Sequence, residues 1–145
     1  MIQRKQSIWL LLTALFNSGL LVFDLYRWHE TVNGADVVQS LRVTNHYPSL
    51  MIALVLILLP LVNLFMYTQR KRQMAMTAFN MVAVAGFVAM LLGRVGHTIT
   101  EMPAAAAGTY WVGAVLPVIT ILFLILAIAG IRKDEKLVQS MDRLR

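Results

Sequence analysis

Cysteine is absent from the chain, which excludes disulfides, thiol nucleophiles, iron–sulfur clusters and cysteine zinc sites. Charge is scarce as well. Asp, Glu, Lys and Arg make up 14% of the 145 residues, against about 25% in a soluble domain, while 59% are hydrophobic. A chain this apolar cannot cover its surface with polar groups if water is its only solvent. The sequence has no Ser-His-Asp arrangement, no glycine-rich phosphate loop and no pair of buried carboxylates. No enzyme activity, catalytic residue or cofactor is therefore expected. The formal charge of +6 would raise the question of nucleic acid in a soluble protein. Here its distribution reads as membrane topology, and no nucleic-acid partner is expected.

Four runs free of Asp, Glu, Lys, Arg and His begin at Ile8, Leu50, Met74 and Tyr110. Completed by interfacial residues, they predict membrane spans over about 8–25, 50–67, 74–93 and 110–131, with a tail over 132–145. Trp9, Tyr26, Trp28, Tyr67, Tyr110 and Trp111 lie near the ends of these runs, at the depth favoured by aromatic rings. Phe23-Asp24-Leu25-Tyr26 follows the first run where a signal peptide would carry small residues, so this run is expected to be retained as a span. Ten of the 13 Lys and Arg fall on one side: Arg4, Lys5, Arg70, Lys71, Arg72, Arg132, Lys133, Lys136, Arg143 and Arg145. Arg27, Arg42 and Arg94 fall on the other. The positive-inside rule then puts both termini in the cytoplasm. The predicted fold is a single all-α membrane domain, a bundle of four transmembrane helices with N-in/C-in topology.

Helices in lipid associate by packing small residues closely and by interhelical hydrogen bonds. Ala85, Ala89 and Gly93 recur every four residues in span three, with Gly86 beside them. They mark a helix-packing face and predict that span three is the most buried. Asn17, Ser18, Asn63, Thr77, Asn80 and Thr120 should point inward as interhelical glue. Pro60 and Pro117 each remove a backbone donor inside a span and favour a kink.

The longest connection, 24–49, contains Asn33-Gly34, a dipeptide favoured in type I′ hairpin turns, flanked by Thr31-Val32 and Asp36-Val37-Val38. A small β-hairpin over the outer face is expected. It is too short to form its own core and must lean on the helices. The segment 93–109 reads as a short loop. All three histidines, His29, His46 and His97, fall on the outer side. His97 and Glu101 share a helical face with Arg94 if span three is prolonged. This makes His29, His97 and Glu101 weak candidates for an outer metal site, since zinc accepts such ligands. The spacing is not a metal signature, and an Arg94–Glu101 pair on a solvated rim is the plainer reading.

After Gly130 the chain has no glycine or proline, and Leu137, Val138, Met141 and Leu144 recur at helical spacing. Span four should therefore run on as an amphipathic cytoplasmic helix. The inner-side residues Arg70, Lys71, Arg72, Arg132, Lys133, Asp134, Glu135 and Lys136 are the candidate interaction residues, with the acidic pair able to meet the basic segments opposite.

Met1-Ile2-Gln3-Arg4, the segment from Phe65 to Gln73, Val115-Leu116-Pro117 and above all Ile131-Arg132-Lys133-Asp134-Glu135-Lys136-Leu137-Val138 through Asp142-Arg143-Leu144-Arg145 resemble a Bacteroidota family of small four-span membrane proteins, domain of unknown function 4293. The resemblance runs along the whole chain and is most specific in the tail. It implies a bacterial inner membrane and a basic tail inside, and it brings no activity and no catalytic residues. The expected role is a structural or accessory membrane protein that binds other membrane proteins, or itself, within the lipid bilayer. A small oligomeric transporter or channel, with Asn17, Asn63 and Asn80 converging on a path, is the alternative. An outer metal or cofactor site is a third reading.

Overall fold

The computed structural model describes residues 5–32, 35–101 and 108–142. Four helices carry most of the chain: α1 (Lys5–Gly19), α2 (Tyr47–Phe65), α3 (Arg70–Glu101) and α4 (Val112–Asp142). α1 packs on α2, α2 on α3, α3 on α4, and α4 closes back on α1. Of the four, α2, α3 and α4 are long and apolar enough to cross a membrane.

The inward residues follow steps of three and four. In α2 they are Ser49, Ala53, Leu56, Pro60 and Asn63, and in α3 Gln73, Thr77, Asn80, Val84, Phe87, Leu91 and Val95. In α1 they are Gln6, Leu10, Thr13 and Asn17, with Leu20 just past its end, and in α4 Leu116, Thr120, Leu124, Ala127 and Ile131. This spacing keeps one seam of each helix facing its neighbours. The opposite faces are apolar and exposed, with Leu11, Leu15, Val55, Leu58, Val82, Val118, Leu122 and Ile125 among them.

The helix bounds depart from the predicted spans. α1 stops at Gly19 rather than near 25, where the N–H groups of Leu20, Leu21 and Val22 reach back only three residues, to Asn17, Ser18 and Gly19, and tighten the chain into turns. α2 begins three residues early. The His46 ring accepts from the Ser49 amide at its N-cap, and Pro48 sits in the first turn, where its missing N–H costs nothing. α3 runs on to Glu101, so most of the expected third loop is helix. α4 runs on to Asp142, in line with the predicted helical extension.

The expected hairpin is present. β1 (Tyr26–Val32) pairs antiparallel with β2 (Ala35–Leu41), from Tyr26 opposite Leu41 to Val32 opposite Ala35. Asn33 and Gly34 themselves lie outside the described residues. A third strand, β3 (Gly108–Tyr110), was not foreseen; it pairs antiparallel with β1 and gives the order β2-β1-β3. The sheet does lean on the helices: Leu25, Tyr26, Leu41 and Val43 belong to the same buried cluster as Leu20, Leu91, Val95 and Leu116.

Two glycines are required by close approach. At Gly108 a Cβ would overlap the Tyr26 ring. At Gly113 it would lie 2.5 Å from the Asp24 carbonyl oxygen, which accepts the Gly113 N–H.

Candidate functional site

The interior holds two separate polar groups. The first joins α1, α2 and α4. Asn17 Nδ2 donates to the Leu56 carbonyl at 2.8 Å, and Asn17 Oδ1 accepts from Thr120 Oγ1 at 2.9 Å. The second ties α2 to the start of α3. Asn63 Nδ2 donates to Thr77 Oγ1 at 2.8 Å and to the Gln73 carbonyl at 3.2 Å, and Gln73 Nε2 returns a bond to the Asn63 carbonyl. Side chains in these two groups are almost wholly buried. Asn17 and Asn63 thus bond to different partners. Asn80 and Gln6 are also buried, and neither amide group has a hydrogen-bond partner among the described residues. Gln6 packs where Gly130 allows it: a Cβ there would lie 3.2 Å from the Gln6 Cβ.

All the amides expected to point inward do so. Ser18 instead bonds the Leu15 carbonyl of its own helix. The buried Gln6 and Gln73 were missed because each stands beside lysine or arginine in sequence, where a polar residue reads as solvated flank. Only the step from Gln73 to Thr77 and Asn80 could have revealed Gln73.

At the end of the bundle that carries the sheet, Asp24 is buried between two arginines. Arg27 Nε donates to it at 2.5 Å and Arg42 Nε bonds its other oxygen. Burial pushes the Asp24 carboxyl up, but the hydrogen bonds and charges of Arg27 and Arg42 outweigh it and hold the group below its ordinary value. The Arg27 guanidinium also lies over the Trp111 ring, 4.2 Å from its centroid. Asp24 therefore fastens the start of β1, the end of β2 and the segment leading into α4.

The three metal candidates are not brought together. His29 lies on β1 and is exposed. His97 Nδ1 and Glu101 Oε2 are 3.2 Å apart on the exposed end of α3. Among the described residues no group of three His, Asp or Glu is arranged to hold a metal ion. Arg94 turns away from Glu101 and donates to Ser49 Oγ at 2.9 Å, and Ser49 Oγ is 2.8 Å from His46 Nδ1. The rim is thus organised by Ser49 at the start of α2, and the expected Arg94–Glu101 pair is not formed.

Ala85, Ala89 and Gly93 lie on the exposed face of α3, turned away from the other helices, and nothing stands within 4 Å of a Cβ built at Gly86, Gly93 or Gly96. Consequently α3 is no more enclosed than α2 and less than α4, contrary to the expectation that it is the most buried. Its inner seam is built instead from larger residues such as Val84, Phe87 and Leu91.

At the end of the bundle opposite the sheet, Arg70, Lys71 and Arg72 form the first turn of α3, and Arg132, Lys133, Asp134, Glu135 and Lys136 lie on the extension of α4. The two meet where Arg70 Nη1 donates to the Asp134 carbonyl at 3.1 Å.

With amides and hydroxyls among its buried residues, apolar outer faces, three helices fit to cross a membrane and a small sheet over one end, the chain has the build of a helical membrane protein. It belongs to the family described as Domain of unknown function (DUF4293), whose model matches residues 2–144. Neither the curated proteins nor the solved structures contain a match.

Proposed function

We propose that all four helices cross a bacterial inner membrane as a four-helix bundle with both termini cytoplasmic, and that the protein is an accessory subunit binding other membrane proteins or further copies of itself. The observation that carries this reading is the outward direction of Ala85, Ala89 and Gly93. Small residues cost little to place against lipid, but they let a second helix approach closely. A face so smooth, left uncovered by the chain's own helices, is suited to an intermolecular partner. The inner-side residues Arg70 to Arg72 and Arg132 to Lys136 offer a charged contact at the cytoplasmic end of the same protein.

The test is purification of the full-length protein in mild detergent, followed by identification of co-purifying proteins and measurement of its mass in solution. Ala89→Ile and Gly93→Leu fill the smooth face without touching the interior. The expected result is loss of partners, or of self-association, with helicity and thermal unfolding unchanged. A monomer that purifies alone from several mild detergents, or partners retained by both variants, overturns the proposal.

A further inference from the structure

Two adjoining hollows meet at Arg72. One is a cleft of about 630 Å³ between the turn into α3 and the extension of α4, lined by Thr68, Gln69, Arg70, Lys71, Arg72, Glu135 and Val138. The other is an apolar groove of about 330 Å³ lined by Met66, Arg72, Ala75, Met76 and Phe79. Residues 72, 75, 76 and 79 share one face of α3. That face therefore passes from a cation to hydrocarbon over two turns, about 10 Å of helix.

We propose that Arg70, Lys71 and Arg72 hold the phosphate of an anionic phospholipid in the cleft, and that the groove from Met66 to Phe79 receives one of its acyl chains. Three cations face one carboxylate, Glu135, so the cleft carries a net positive charge. None of the three forms an ion pair with a carboxylate among the described residues. Arg70 is fixed by its bond to the Asp134 carbonyl, and Arg72 Nη1 donates to Gln69 Oε1 at 2.9 Å, so both guanidinium groups are positioned before any lipid arrives. The first amides of α3 lie at the same place and add a weaker attraction for an anion. A free phosphate would use the cleft alone, whereas a lipid needs the groove as well. This inference rests on the reading above that this end of the protein lies at the inner membrane surface.

Native mass spectrometry of the detergent-solubilised full-length protein tests it, titrating dioleoyl-phosphatidylglycerol against dioleoyl-phosphatidylcholine. One tightly retained phosphatidylglycerol is expected, favoured at least tenfold over phosphatidylcholine. Removing one cation by Arg72→Gln should weaken retention about fivefold, and removing all three about a hundredfold. Ala75→Trp should weaken it by filling the groove while leaving every charge in place, and Glu135→Gln should strengthen it. Arg94→Gln, which alters a cation near the far end of α3 and outside both hollows, should leave the preference unchanged. Equal retention of both lipids, or a loss with Arg94→Gln as large as with Arg72→Gln, overturns the proposal. So does displacement by inorganic phosphate together with indifference to Ala75→Trp, which would identify a phosphate site alone. Alkaline extraction of membranes checks the membrane placement independently: a chain that stays in the pellet but shows no lipid preference refutes the lipid site only.

Discussion

The Asn17 side chain donates to the Leu56 carbonyl, four residues before Pro60. In an unbroken helix that carbonyl would accept from residue 60, whose ring has no N–H. A proline in one helix is thus answered by an amide from the next, and Thr120 of a third helix completes the amide's bonding. Asn17→Leu should destabilise the protein by about 1–2 kcal/mol, the scale of interhelical hydrogen bonds and of a carbonyl left unpaired. In a Pro60→Ala background the Leu56 carbonyl regains its helical donor, so the same change should cost less. Unfolding of the four proteins of this cycle, measured in one detergent, gives the coupling directly. A cost for Asn17→Leu that is equal in both backgrounds would show that the bond does not answer the proline.

Glycines in this chain divide by what surrounds them. Gly113→Ala sets a methyl group 2.5 Å from the Asp24 carbonyl oxygen and 2.9 Å from that of Phe23. Both are backbone atoms, so the segment must shift, at a cost of about 1–3 kcal/mol. Gly93→Ala meets nothing within 4 Å and should be neutral or stabilising by up to about 1 kcal/mol. Thermal unfolding of the two variants should move in opposite directions or move for Gly113→Ala alone.

Much of this arrangement could be read from residue order, for reasons that particular residues make plain. Hydrocarbon cannot solvate an amide, so Asn17, Asn63 and Asn80 had to face inward wherever the helices lay. The hairpin was legible because Thr31-Val32 and Asp36-Val37-Val38 flank a two-residue turn. β3 was not, since three residues ending in Tyr110 have no period of their own and owe their extended form to pairing with Tyr26, Arg27 and Trp28 far along the chain. The Asp24 cluster was hidden in the same way, because Arg42 lies eighteen residues from it and meets it only after the hairpin forms. The small face of α3 was seen, but its direction was not: Ala85 and Gly93 follow a helical period that fits an outer face as well as an inner one.

Asp24 gives stability a defined dependence on acid. Its carboxyl is held below its ordinary value in the folded protein, so the folded state favours the ionised form. That stabilisation is fully present above the ordinary carboxylate range, near pH 4, and is lost as pH falls through the lower folded value. Asp24→Asn should lower the melting temperature at pH 7, and the gap to the wild type should close in strong acid. Both arginines are partly exposed, so added salt should narrow the gap at pH 7 as well. A gap of constant size from pH 7 to pH 3 would remove charge as its cause.

The orientation proposed for the chain depends most on α1. Its 15 residues rise only about 22 Å, short of the roughly 30 Å hydrocarbon core, and the turn over residues 20–23 must supply the rest. Because the natural chain has no cysteine, single cysteines report topology without further change. An impermeant maleimide applied to spheroplasts should modify Thr44→Cys, which is exposed beyond the sheet. It should reach Lys5→Cys, Lys71→Cys and Lys133→Cys only once the membrane is opened. Labelling of Lys5→Cys in intact spheroplasts, with Lys71→Cys still protected, would mean that α1 enters and leaves on the outer side. The ring of four helices would then have to be placed in the bilayer with three crossings, and the positive-inside reading would survive for α2, α3 and α4 alone.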